Sequence, residues 1–247
     1  PDIAAPGVNI LAGFSPLGHP SGIPQDARSV TFSFLSGTSM ACPHVAGAAA
    51  YVKSFHPEWP ASFIKSALMT TANDMTNIKN PASEFSYGSG QINPSKAVDP
   101  GLVYQTFPDD YISMLCDFDI DAAKILISNS SCPEEARSTK QLNYPSIGAY
   151  VADQQYFDLS ITRTVTNVGT PASTYYATVG IDSVTINVTV TPDILTFESL
   201  MERKSFVVHI VGSGLHYNEI VIGSLVWCDG MRCARSPIVV YSSDFGL

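Results

Sequence analysis

The sequence predicts an α/β region followed by an all-β sandwich. Three observations carry that reading. A β-prone run, Val30 to Leu35, breaks at Gly37 into an alanine-rich stretch, Val45 to Phe55, whose apolar positions recur at helical spacing. A second helical pattern follows Pro60. From about residue 141 the character changes to short β-rich runs, and one of them, Val184 to Val190, alternates strictly between apolar and polar residues.

The first helix is expected to begin close to Ser39, because Pro43 has no N–H to donate and is tolerated best in a first turn. A helix start carries unpaired N–H groups and partial positive charge. An oxygen of Ser39, or an oxyanion forming on a carbon it attacks, is therefore favoured there. Pro60 introduces a second helix, Ala61 to Ala72, with Phe63, Ala67 and Leu68 on one face. Short helical pieces are expected at Asp109 to Cys116 and Ile120 to Ile127, and the Ser-, Cys-, Pro- and Glu-rich stretch Ser128 to Thr139 reads as a linker. The boundary then falls between a first domain at 1–140 and a second at 141–247. In the second, β-rich runs at Leu159 to Val168, Thr174 to Val179, Ser205 to Val211, Ile220 to Trp227 and Ile238 to Tyr241 have the spacing of a sandwich. In the alternating run, Val184, Ile186, Val188 and Val190 take the buried face and Thr185, Asn187 and Thr189 the polar one.

Composition narrows the function classes. At 247 residues either half is long enough to bury a core, and the balance of 45% apolar against 14% charged residues with a net charge of -9 is that of a globular chain. No Lys/Arg cluster is present, which argues against nucleic-acid binding. The longest apolar run, Val45 to Val52, is far short of the roughly 20 residues that span a bilayer.

Cys116 and Cys132 flank the helical segment after Tyr111, and Cys228 and Cys233 enclose the Asp229-Gly230 turn. Neither pair has companion His or Cys ligands, so disulfides are expected rather than a metal site. Cys42 is left as a free thiol, read as a small buried hydrophobe. Asn129-Ser-Ser131 and Asn187-Val-Thr189 are N-glycosylation sequons, which fit a secreted chain.

The chemistry centres on Gly37-Thr-Ser-Met-Ala-Cys-Pro-His-Val-Ala-Gly47. Gly-Thr-Ser before a helix is also an ordinary capped turn. An α/β-hydrolase elbow, G-x-S-x-G, is a second alternative; it would recruit downstream partners such as Asp229 and His209, but Ala41 stands where its last glycine belongs. The whole run resembles the nucleophile motif of subtilisin-like serine peptidases. Pro1 to Leu11, Ile64 to Ala72, Tyr87-Gly-Ser-Gly90, Asp99 to Tyr104, Leu142-Asn-Tyr-Pro-Ser-Ile147, Arg163 to Gly169 and Arg235 to Val240 are similar to plant subtilases of the cucumisin-like type.

That resemblance implies a subtilisin-like α/β region followed by a fibronectin III-like sandwich, and an endopeptidase acting on proteins without a cofactor. Ser39 would be the nucleophile, with the Ser39 N–H and the Thr38 hydroxyl in the oxyanion hole. His44 would be a packing residue. The family orders its triad Asp, His, Ser, and this chain holds no Asp-Thr-Gly, Asp-Ser-Gly or His-Gly-Thr. The catalytic Asp and His and an oxyanion Asn are thus expected on an N-terminal half of the same protein, acting as partner to this one. The resemblance also implies secretion, to a plant apoplast or latex-like fluid. A catalytically inactive relative, serving as a binding or structural protein, is the alternative within the family.

Overall fold

A computed structural model describes residues 1–21, 23, 25–75, 83–118, 132 and 138–242. β1 (Ile10–Gly13) pairs antiparallel with β2 (Phe32–Leu35), Ile10 opposite Leu35. α1 (Thr38–Phe55) and α2 (Ala61–Thr70) follow, then the short α3 (Ser83–Tyr87) and α4 (Pro94–Ala97). α2 begins directly after Pro60 and buries the expected face, Phe63, Ala67 and Leu68, against Ala48 and Val52 of α1, Trp59 and Ala97. Pro43 lies inside α1 rather than in its first turn. The helix starts at Thr38, so Pro43 falls just past the positions whose N–H has no carbonyl to meet, and the Ser39 carbonyl goes without its usual donor.

β3 (Leu102–Tyr104) comes next and α5 (Pro108–Asp117) after it. The segment Ile120 to Ile127 and Asn129 lie outside the described residues, as does most of Ser128 to Thr139. The remaining strands are β4 (Ile147–Tyr150), β5 (Phe157–Asn167), β6 (Ser173–Ile181), β7 (Ile186–Thr191), β8 (Ile194–Phe197), β9 (Arg203–Gly212), β10 (Ile220–Cys228) and β11 (Cys233–Tyr241). They form two sheets, ordered β4-β11-β10-β6-β8 and β3-β5-β9-β7. All pairings are antiparallel except β4 with β11. The inward residues of both sheets, among them Ile161, Val165, Tyr175, Phe206, Val208, Leu225, Trp227 and Ile238, close a single core between them.

Ile186, Val188 and Val190 face this core as expected, but Val184 does not. It precedes the strand and is fully exposed, at 103%. The turn at Ser183, whose Oγ accepts from the Thr185 and Ile186 N–H groups, breaks the alternation before it reaches Val184.

β3 joins the two regions. Successive side chains on a strand point to opposite faces, so Leu102 and Tyr104 enter the sandwich core while Val103 between them enters the helical core. Around it run several bonds between the regions. The Tyr104 N–H donates to Ser66 Oγ (2.8 Å), and its hydroxyl bonds Ser236 Oγ (2.8 Å). Arg235 donates to the Ser89 carbonyl (3.0 Å) and pairs with Asp74 (3.5 Å), and Arg232 pairs with Asp99 (2.6 Å).

Two of the motifs face each other. Arg163, buried on β5, donates to the carbonyls of Lys140, Tyr144, Ser146 and Thr162. Burial pushes its guanidinium down to about 10. Asn143 bonds both the Thr164 N–H and carbonyl, and Gln141 bonds the Thr162 N–H and the Ser160 carbonyl. These side-chain amides occupy the edge of β5 where β3 no longer reaches it. The Cys116–Cys132 and Cys228–Cys233 disulfides are formed, the second across the β10–β11 turn at Gly230.

Candidate active site

Ser39 is the second residue of α1, and the chain around it is held from two sides. The Gly37 N–H donates to the Gly7 carbonyl (2.8 Å), and Ser36 Oγ accepts from the Asn9 N–H (2.9 Å). Gly37 takes φ 155°, a conformation L side chains rarely adopt. Gly7 packs so close that a Cβ there would meet the Gly37 carbonyl at 2.9 Å and the Ala41 side chain at 3.1 Å. The glycines of the two motifs thus fix the entry to the helix.

The helix start is electrostatically open. Gly37 has no side chain to cap it, and the first turn contains no acidic residue. Met40 and Ala41 donate to the Gly37 carbonyl, while the N–H groups of Thr38 and Ser39 precede any carbonyl that the helix can offer them. Ser39 and Thr38 are both exposed. This arrangement holds a hydroxyl beside unpaired N–H groups at the positive end of an 18-residue helix, where an oxyanion is favoured.

Among the described residues, no hydrogen bond joins Ser39 to a histidine or a carboxylate. His44 is exposed rather than packed; its Nδ1 meets the Met40 carbonyl of its own helix (2.8 Å). Cys42 is free and exposed, where a buried position was expected. Both differences have one cause: α1 is apolar nearly all round, yet only Ala48 and Val52 are buried in this chain. The hydrolase alternative gains nothing from the geometry. His209 bonds Ser160 on the outer face of the sandwich (3.1 Å), and Asp229 is held by Arg232 in the β10–β11 turn. A polar hollow of about 580 Å³ lies between α5 and β5, lined by Phe107, Asp109, Gln141, Asn143, Thr164 and Arg203 among others, and includes no residue of the Ser39 turn. Among the described residues no group of His, Cys, Asp and Glu is arranged to hold a metal, and no helix is long and apolar enough to cross a membrane.

The motif pattern had singled out Ser39 and Thr38. What it did not reveal is the pair of straps at Gly7 and Asn9, although the Pro6-Gly7 punctuation and the left-handed Asn9 (φ 53°) are legible in retrospect as a close backbone approach.

Residues 1–90 match the Subtilase family and residues 141–240 the fibronectin type-III domain. The chain is 52% identical to subtilisin-like protease SBT4.3 of Arabidopsis thaliana over 247 residues, which covers 98% of this chain and 34% of that protein. It is 47% identical to subtilisin-like protease SBT4.6 of the same plant over 250 residues, covering 98% and 33%. The chain therefore spans about a third of the length of the curated relatives it matches.

Proposed function

We propose that this chain, similar over almost its whole length to plant subtilisin-like proteases, supplies the nucleophile of a serine endopeptidase whose remaining catalytic groups lie on an N-terminal half of the same protein. Ser39 attacks the scissile carbonyl as a His of that half takes its proton, and an Asp there orients the His. The Ser39 N–H and the Thr38 hydroxyl, with an Asn of the other half, hold the oxyanion. The division at 140/141 sets the part that carries this chemistry beside a fibronectin III-like partner, to whose sheet it contributes β3, in a protein secreted to the plant cell exterior.

The observation that carries the reading is the state of α1. A helix hydrophobic all round belongs in a protein interior, yet here Tyr51 and Phe55 are exposed, as are Phe32, Phe34 and Leu35 of the neighbouring β2. Such a surface fits the covering of both elements by further chain, and Ser39 lies at the start of α1, just after β2. A serine without a base is a weak nucleophile. The isolated chain is therefore expected to hydrolyse no peptide and to react poorly with a fluorophosphonate probe. Assembled with the N-terminal half, it is expected to label at Ser39. Ser39→Ala should then lower kcat by about 10⁶-fold, the scale measured for subtilisin itself. Robust Ser39-dependent hydrolysis by the isolated chain would refute the division of the triad.

A further inference from the structure

The two sheets of the sandwich end in four edge strands, β3 and β7 in one sheet and β4 and β8 in the other. An edge strand offers unpaired N–H and C=O groups to any other chain, and proteins guard such edges by shortness, cover, charge or proline. Three of the four are guarded. β3 has three residues and lies against α2, where Ser66 Oγ accepts its Tyr104 N–H. β4 has four residues and β8 also four, the latter set between Asp193 and Glu198. β7 is different. It has six residues, Ile-Asn-Val-Thr-Val-Thr, and no charge occurs anywhere from Ser183 to Pro192. This is the composition of a self-pairing segment: β-branched, uncharged and free of proline along the strand. The fully exposed Val184 just before it adds apolar surface.

The same strand carries the Asn187-Val-Thr189 sequon. Asn187 and Thr189 are both exposed on β7, on the face away from the core, opposite Val211 and His209 of β9. The acceptor amide is thus accessible, and the side chain of Val188 between them is buried, so a modification there leaves the core undisturbed. The two disulfides are bonds of an oxidising compartment, the route on which Asn-linked glycans are attached.

We propose that Asn187 carries an N-linked glycan and that this glycan guards the β7 edge against pairing with a second chain. The bulky, hydrated sugar takes the role that lysine or proline takes on other edge strands. The attachment is an N-glycosidic bond from Asn187 Nδ2 to C1 of the reducing sugar, formed by transfer from a lipid-linked oligosaccharide: the C1–oxygen bond to the lipid diphosphate breaks, the diphosphate leaves, and Nδ2 loses one proton.

The test uses the full-length protein secreted from plant cells. Enzymatic glycan release in ¹⁸O water, followed by peptide mass spectrometry, is expected to convert Asn187 to labelled aspartate in most molecules; an Asn187 unmodified throughout overturns the site. Asn187→Gln and Thr189→Ala both remove the sequon, the second with Asn187 in place. Both are expected to self-associate several-fold more than the parent by light scattering against concentration, with an unchanged thermal midpoint in dilute solution. Asn187→Lys, which lacks the glycan but places a charge on the edge, is expected to stay dispersed. Variants without the sequon that scatter like the parent, or an Asn187→Lys protein that associates as strongly as Asn187→Gln, would overturn the guarding role.

Discussion

The sandwich and the helical region treat their apolar residues in opposite ways. In the sandwich, both sheets turn their alternating faces inward, and Ile161, Leu225, Trp227 and Ile238 are excluded from solvent. In the helical region α2 is buried as completely, but α1 and the β1–β2 pair leave Leu11, Phe32, Phe34, Tyr51 and Phe55 exposed. The sandwich closes its core with its own two sheets, although Tyr156, Tyr176, Val184 and Met231 stay exposed on its outside, whereas the helical region has a core on one side only. The difference bears on the proposed site. The region with unsatisfied apolar surface is the one that holds Ser39.

Substitutions break or sharpen this contrast. The largest effect belongs to the sandwich core. Trp227→Ala should cost about 3–5 kcal/mol in chemical denaturation. Tyr51→Ala on α1 should change the isolated chain by no more than about 0.5 kcal/mol. In the full-length protein, if further chain covers α1 as proposed, the same Tyr51→Ala should cost about 2–5 kcal/mol by the reasoning for buried side chains. Equal tolerance of Tyr51→Ala in both settings would mean that α1 is exposed in the complete protein too.

Arg163→Met comes next, at about 3 kcal/mol, because four carbonyls lose a charged donor. Unfolding followed by hydrogen exchange should show the loss of protection beginning at 140–146 rather than in the helices. A smaller loss, about 1 kcal/mol, is expected for Tyr104→Phe, which removes the bond to Ser236 where the two regions meet. The contrast over the shortest distance lies within one run of sequence. Ile186→Asp should destabilise the sandwich by several kcal/mol, as a buried carboxylate without a partner must, while Val184→Asp two residues earlier should be nearly neutral in thermal unfolding, on the order of 0.5 kcal/mol.

Much of the architecture could be read before any coordinates. The long strands β5, β6, β7, β9 and β10 each have enough residues for period-2 alternation to show, and α2 declares itself by Pro60 and its apolar face. The strands that escaped notice are β1, β3, β4 and β8, with three or four residues each. A run that short gives no period to detect, and β3, buried on both faces, reads only as three apolar residues. Val184 was misplaced because alternation in sequence continues past the turn that ends it in space. His44 is expected to pack only because the family resemblance implies it, and Cys42 because a free cysteine commonly behaves as a small buried hydrophobe. Their exposure reflects what surrounds the helix, and that is a property of neighbours the local sequence does not contain. The Ser39 turn itself was legible because it depends on residues with special backbone needs, Gly37 above all, and these are local.

One consequence follows from β3. Two domains joined by a linker have slack, and slack permits them to swing. Here the joint is three residues with no free length, since Val103 is gripped by one core and both its neighbours by the other. A rotation of the helical region against the sandwich would have to pull Val103 or its neighbours out of their sockets. The pleat of a single strand therefore acts as a mechanical lock, and the sandwich serves as a rigid mount that holds α2, and α1 packed upon it, at a fixed bearing.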